Sequence, residues 1–274
     1  MTEWLLIPLG LFVGAYGTLI GAGGGFLLVP ALLFLYPSAK PSTITSISLA
    51  TVFFNAVAGS VAYGRAQRID YRTGVTFAVA TVPGAVLGAI VVTAIPRNLF
   101  SAIFGVVLIA LAALVILRPQ QNVSRSLSMR SGMTTRVMVD SSGSRYEYHF
   151  NLWQGLLLSV VVGFISSLLG IGGGIIMVPA MILLLDFPAH IATATSQFVL
   201  AVMALAGTSV HLITGELAFG SGLRRALLLA AGVIPGALIG AWLSRHIHGR
   251  LIVRMLGGAL LVVGVRLLAG LFYA

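Results

Sequence analysis

Long apolar runs separated by short polar breaks set the pattern of this chain, and the first run is interrupted by glycine, not by charge. Residues 4–36 are largely apolar but contain Gly21-Ala22-Gly23-Gly24-Gly25, within GTLIGAGGGFLLVPAL (17–32). A continuous helix over that stretch would reach roughly 50 Å at about 1.5 Å per residue, too long for a hydrocarbon core of about 30 Å. The pattern therefore predicts two short helices meeting at the glycines, as a re-entrant hairpin or as a pair of short spans. After the turn YPSAKPS (36–42), spans are predicted over 43–63, 73–95 and 98–117. The first of these is polar at its start, with Thr43, Thr45, Ser46 and Ser48, and carries Asn55 further in. The second has Pro83-Gly84 at its middle, which predicts a kink.

The second part of the chain repeats this plan. Residues 152–186 hold Gly170-Ile171-Gly172-Gly173-Gly174 in SSLLGIGGGIIMVPAM (166–181), and spans follow over 191–213, 224–244 and 251–273. Val29-Pro30-Ala31 matches Val178-Pro179-Ala180, TITS (43–46) matches TATS (193–196), and PGAVLGA (83–89) matches PGALIGA (235–241). The offset drifts only from about 149 to about 152 residues, which marks an internal repeat. The chain thus divides into a first transmembrane repeat (1–117), a polar, arginine-rich linker (118–151) and a second transmembrane repeat (152–274). Within the linker, RVMVDSSGSRYEYHF (136–150) alternates around Asp140-Ser-Ser-Gly143. That fits a short β-hairpin and fits a disordered linker equally.

Composition agrees: 58% of the residues are hydrophobic and only 8% charged, so the fold class is an all-α polytopic membrane protein with two homologous halves. The formal charge of +10 would suggest nucleic acid for a soluble protein, but here arginines in loops hold orientation and no nucleic-acid partner is expected. Loops 64–72, 118–151 and 245–250 hold ten arginines, against Lys40, Arg97, Arg224 and Arg225 on the other side, so the arginine-rich side is read as cytoplasmic. If each glycine region enters and leaves on one side, each half adds three full spans and the halves are inverted. Four spans per half in parallel would sort the charges identically; length favours inversion. The absence of cysteine excludes disulfides and thiolate metal sites. The opening MTEWLLIPLG lacks a basic leader and reads as mature membrane sequence.

Glycine clusters in apolar sequence leave bare backbone N–H groups, which in a membrane must be buried in protein or line a polar cavity. Inversion would bring the two glycine tips together near the midplane, with the helices after them, starting near Phe26 and Ile175, pointing their N-termini at one point. Each N-terminus carries about half a positive charge and several free donors, which makes an anion site without a charged side chain. The candidate binding residues are Gly23, Gly24, Gly25, Gly172, Gly173 and Gly174, with Thr45, Ser46, Asn55, Thr195, Ser196 and Gln197 as further polar groups. Each has a plainer reading: the glycines pack helices, and the hydroxyls bond their own helix carbonyls. His190 and His211 could be proton carriers, but each lies near a predicted span end and reads as headgroup-facing. Asp186 and Glu216 are terminal, and Arg254 and Arg266 read as snorkelling. No H-E-x-x-H, no paired intramembrane acids and no Ser/His pairing occur, so no enzyme is expected. Without a nucleotide-binding P-loop, gradients or membrane potential would supply the energy, and neither cofactor nor metal is expected.

The doubled G-x-G-G-G-[FI]-[LI]-x-V-P, the TATS stretch and the doubled PGAxxGA resemble the sulfite exporter TauE/SafE family, also called the 4-toluene sulfonate uptake permeases. The resemblance covers nearly the whole chain except 118–151. It implies a multi-pass carrier of a small sulfur-containing anion, sulfite or an organosulfonate, in the bacterial inner membrane. Its partners would be that anion and the lipid bilayer, and a homodimer is compatible with a small two-repeat carrier. An anion channel, or a carrier of a different small anion, are the alternative readings.

Overall fold

The structure, a computed structural model, describes residues 3–117, 133–217 and 220–272. After a 3-10 turn at Glu3–Leu5 come α1 (Leu6–Leu19), α2 (Gly25–Leu35), α3 (Pro41–Arg65), α4 (Tyr71–Val91) and α5 (Arg97–Leu117). Two strands follow, β1 (Thr134–Val139) and β2 (Arg145–Phe150), and then α6 (Leu152–Leu169), α7 (Gly174–Leu184), α8 (Ala189–Ile213), α9 (Ser221–Leu243) and α10 (Gly249–Phe272). Among the described residues, six helices are long and apolar enough to cross a membrane. The molecule is a multi-pass, mostly helical membrane protein. Pro41 opens α3, where its missing N–H costs nothing. Asp70 caps α4 by accepting from the Thr73 amide, and Asn151 caps α6 by accepting from Trp153 and Gln154. The Pro83-Gly84 step, where a kink is predicted, lies within the single helix α4.

Glycine decides how the helices pair. A Cβ on Gly10 would lie 3.3 Å from the Cα of Gly232, one on Gly236 would lie 2.9 Å from the amide of Ala15, and one on Gly240 would lie 3.0 Å from that of Leu19. Helices α1 and α9 therefore run parallel with their backbones in contact. The same holds for α4 and α6, where a Cβ on Gly84 would lie 2.7 Å from the Phe164 amide and one on Gly88 2.8 Å from that of Leu168. By contrast, α3 and α8 are antiparallel: Gly59 faces Gln197 while Gly207 faces Leu49. Helices α5 and α10 are antiparallel too, with Gly257 against Val115 and Gly264 against Leu108.

The two glycine-broken segments enter the bundle from opposite faces. Glu3 before α1 pairs with Arg224 at 3.2 Å and Arg225 at 3.4 Å, and Arg225 lies 3.9 Å over the ring of Tyr36, which follows α2. The start of α1 and the end of α2 thus share one face, which selects the re-entrant hairpin over a pair of short spans. Arg97 fixes that exit by donating to the carbonyls of Leu33 and Ala39 at 2.7 and 2.8 Å. At the other end of α3, the start of α6 and the end of α7 share the opposite face. There the ring of Phe187, after α7, packs tilted against Tyr148 and Phe150 of β2, with centroids 4.4 and 5.0 Å apart.

The two strands lie in the linker, outside the helical bundle. They form an antiparallel hairpin with Thr134 opposite Phe150 and Val139 opposite Arg145. Residues 134–150 of the linker are therefore a hairpin and not a disordered stretch; residues 118–132 lie outside the described residues. The hairpin docks through Phe150 on Phe77 and through Arg68–Asp140 at 3.2 Å.

Candidate functional site

Backbone conformation explains the glycines of both turns. Gly21, Gly23 and Gly24 have φ of 75°, 73° and 81°, and Gly170, Gly172 and Gly173 have 68°, 77° and 64°. Other residues rarely adopt this left-handed region. The two turns meet backbone to backbone. A Cβ on Gly25 would lie 2.7 Å from the Gly170 carbonyl oxygen, and one on Gly174 would lie 2.8 Å from the Cα of Ala22. The predicted meeting of the tips is thus present, and α2 and α7 start there, at Gly25 and Gly174. The glycines also serve packing: Leu200 closes on Gly23, Val52 on Gly172 and Met203 on Gly173.

Hydroxyls from α3 and α8 hold the tips. Ser48 donates to the Gly170 carbonyl at 2.6 Å and Ser196 to the Gly21 carbonyl at 3.2 Å. Each tip carbonyl therefore sits, hydrogen-bonded, beside the positive end of the opposing short helix. The amides of Gly24, Gly25 and Phe26, and those of Gly172, Gly173 and Ile175, have no backbone acceptor among the described residues. These are the donors a helix start leaves free.

Of the other candidate residues, Asn55 and Gln197 come together and the rest do not join them. Thr18 donates to Asn55 Oδ1 at 3.1 Å, and Gly59 gives room for Thr18 and Gln197 to approach. Asn55 and Gln197 are fully buried, yet Asn55 Nδ2 and both polar atoms of Gln197 have no partner. An unpaired buried amide costs about 1–3 kcal/mol, so three such atoms in one place call for water or a ligand. Thr45 and Ser46 instead donate to the carbonyls of Ser42 and Thr43 in their own helix, the plainer reading of those hydroxyls. Thr195 accepts from the Asp70 amide at 3.0 Å, at the hairpin end of the bundle.

Among the charged and titratable groups, the expectation for His211 changes. His211 is fully buried, not headgroup-facing, and both ring nitrogens lack a partner. Arg254 and Arg266 are exposed, and Arg266 lies 4.9 Å over Phe34, so neither faces the interior. Asp186 is exposed as well. Sequence reasoning missed Thr18, Ser166, Ser167 and Thr208 as buried polar groups. The repeat held a signal for one pair, since the offset of about 149 residues places Thr18 over Ser167.

Where the hairpin docks, the charges are paired. Tyr148 donates to Asp70 at 2.8 Å, and Arg136 lies 3.7 Å from the same carboxylate. Burial, with the charge of Asp70 beside it, pushes the Tyr148 hydroxyl well up. Burial also pushes the Asp140 carboxyl up, but hydrogen bonds from Ser142, Ser144 and Arg68 outweigh it and hold the group down at about 2.

Comparison with known proteins places this geometry. The family model described as sulfite exporter TauE/SafE matches residues 6–267. The chain is 32% identical over 274 residues to the probable membrane transporter protein YunE of Bacillus subtilis, covering 98% of each chain. It is 26% identical to a probable membrane transporter protein of Methanocaldococcus jannaschii, covering 96% of this chain and 94% of that one. No solved structure matches.

Proposed function

This chain belongs to the sulfite exporter TauE/SafE family of membrane transporters, and from that premise we propose that it is a secondary carrier of small sulfur-containing anions, sulfite or an organosulfonate. The observation that carries the reading is the opposed pair of glycine tips beside two unpaired buried amides. An anion between the tips would take the place now held by the Gly21 and Gly170 carbonyls and accept from the free amides of both short helices. Asn55 Nδ2 and Gln197 Nε2 would supply neutral donors from the side. A site of dipoles, without a buried arginine, holds an oxyanion loosely enough to release it.

The halves are inverted repeats in this reading. Its support is that corresponding helices, α3 with α8 and α5 with α10, pack antiparallel, which is what a two-fold axis in the membrane plane requires. The first leg of each re-entrant hairpin is bolted to a helix of the other half, α1 to α9 and α6 to α4. Those glycine-backed pairs move as units, and alternating access opens the contact between the tips to one face and then the other. The arginine-rich face with the hairpin is cytoplasmic, in a bacterial inner membrane. An inside-negative potential then favours efflux of the anion alone, and uptake needs a coupled proton or cation.

The test is flux in proteoliposomes with labelled sulfite and a small organosulfonate offered separately. Saturable uptake of one, competed by the other, is expected, altered by an imposed potential wherever net charge moves with the anion. Flux of neither in folded protein would refute the substrate class, and conductance beyond carrier rates would favour a channel.

A further inference from the structure

Beyond the tips, toward the face of Glu3, the interior carries a second set of unpaired buried polar groups. Ser166 and Ser167 at the end of α6, and Thr208 and His211 on α8, each have side-chain atoms without a partner. A Cβ on Gly207 would lie 2.5 Å from Ser167 Oγ, so glycine lets α6 and α8 meet there. His211 lies one turn further along the same side of α8 as Gly207. Its backbone carbonyl accepts from Leu217 at 3.0 Å, in the loop that carries Glu216. Ser42 of α3 donates to the Glu216 carboxylate at 2.7 Å. The strip therefore runs from the tips to the outer face: serine, threonine, histidine, then a hydrogen-bonded carboxylate.

The opposite half of the path is chemically different. Thr18 corresponds to Ser167, but the matched contacts of Ser48 with Ser196 and of Gly59 with Gly207 set Asn55 and Gln197 against Met203 and Leu49. One half carries neutral amides, and the other carries a fully buried histidine. Such a histidine, with neither nitrogen bonded, is not held there by structural hydrogen bonds.

We propose that this strip is the outer half of the transport path and that His211 binds a proton that crosses with the anion, an inference that rests on the carrier reading above. A proton arriving from the outer face bonds to a lone pair of the neutral imidazole and makes an imidazolium. The imidazolium attracts the anion, and the pair neutralises its charge. After release, the proton returns to water and the imidazole is neutral again.

Two measurements decide this, and the first needs no anion. Hydrogen–deuterium exchange at the imidazole C2 position, followed by mass spectrometry at graded pH, reads each histidine separately, with exposed His246 and His248 as references. His211 is expected to exchange with a sigmoidal pH dependence, because water reaches it when the path opens outward. A ring that stays unexchanged at every pH while the references exchange overturns the proposal. The second uses proteoliposomes with an internal pH dye and methanesulfonate or sulfite as the probe. In the unaltered protein, protons are expected to accompany the anion, and a gradient of about one pH unit to raise accumulation about tenfold. His211→Gln is expected to lose both effects, whatever flux remains. An unchanged proton-to-anion ratio in that variant overturns the proposal. Should the unaltered protein move neither probe, the sulfur-anion reading falls, and His211 is judged on ring exchange alone.

Discussion

At the residue scale, glycine and amide positions do different jobs. Gly24 has φ 81°, and a Cβ there would lie 2.7 Å from the Val13 carbonyl oxygen. Gly24→Ala is expected to cost about 1–3 kcal/mol through strain and overpacking, seen as a lowered Tm in detergent. An unchanged Tm would mean that the turn tolerates side chains. Gln197 is the reverse case. It is fully buried but makes no hydrogen bond, so Gln197→Ala should leave Tm little changed and raise the KM for anion about tenfold, roughly 1.4 kcal/mol. A large fall in Tm with KM intact would make it a structural residue. Sequence alone brought out Gln197 and Asn55, because amides are rare in apolar runs. It could not show that Ser48 and Ser196 hold the tips while Thr45 and Ser46 bond their own helix, since those hydroxyls read alike until the helices pack.

At the element scale, the β-hairpin latches the face where α6 enters and α7 leaves. Asp140 is buried and accepts from Arg68, so Asp140→Asn should weaken docking by about 3 kcal/mol and release Phe150 from Phe77. Amide exchange across Thr134–Phe150 would report the release, and full protection in the variant would contradict it. The carboxyl sits at about 2, below the ordinary value near 3.9. Its contribution is therefore complete above about pH 4 and is lost as pH falls through about 2, and hairpin protection should follow that course. Span boundaries were legible within a few residues, because each run ended at proline, glycine or arginine. Alternation over so few residues does not distinguish a strand from a polar linker; the contacts of Tyr148 and Phe150 with Phe187 decide for the hairpin. The glycines of PGAVLGA and PGALIGA were visible as a repeat, but not as the faces on which α6 and α1 lie.

For the whole molecule, both chain halves contribute a re-entrant tip to one place, and the bundle between them is built by exchange, each half bracing the other's tip. The doubled motif in register made two tips legible, whereas the arginine count could not separate parallel from inverted halves. The antiparallel packing of α3 on α8 supports the proposed inversion, on which the charge count is silent. Inversion predicts that single cysteines at the exposed Ser38 and Asp186 label from opposite sides of the membrane; labelling from one side would leave the repeats parallel. The anion site itself is tested most directly by locating a bound anion. Selenite, the heavier congener of sulfite, can be placed by its anomalous scattering in crystals of protein that transports it. A selenium peak between the tips, within hydrogen-bond reach of the amides around Gly25 and Gly174 and beside Gln197, is the predicted result. A peak elsewhere, with the tips still in contact, would contradict a site built from their backbone.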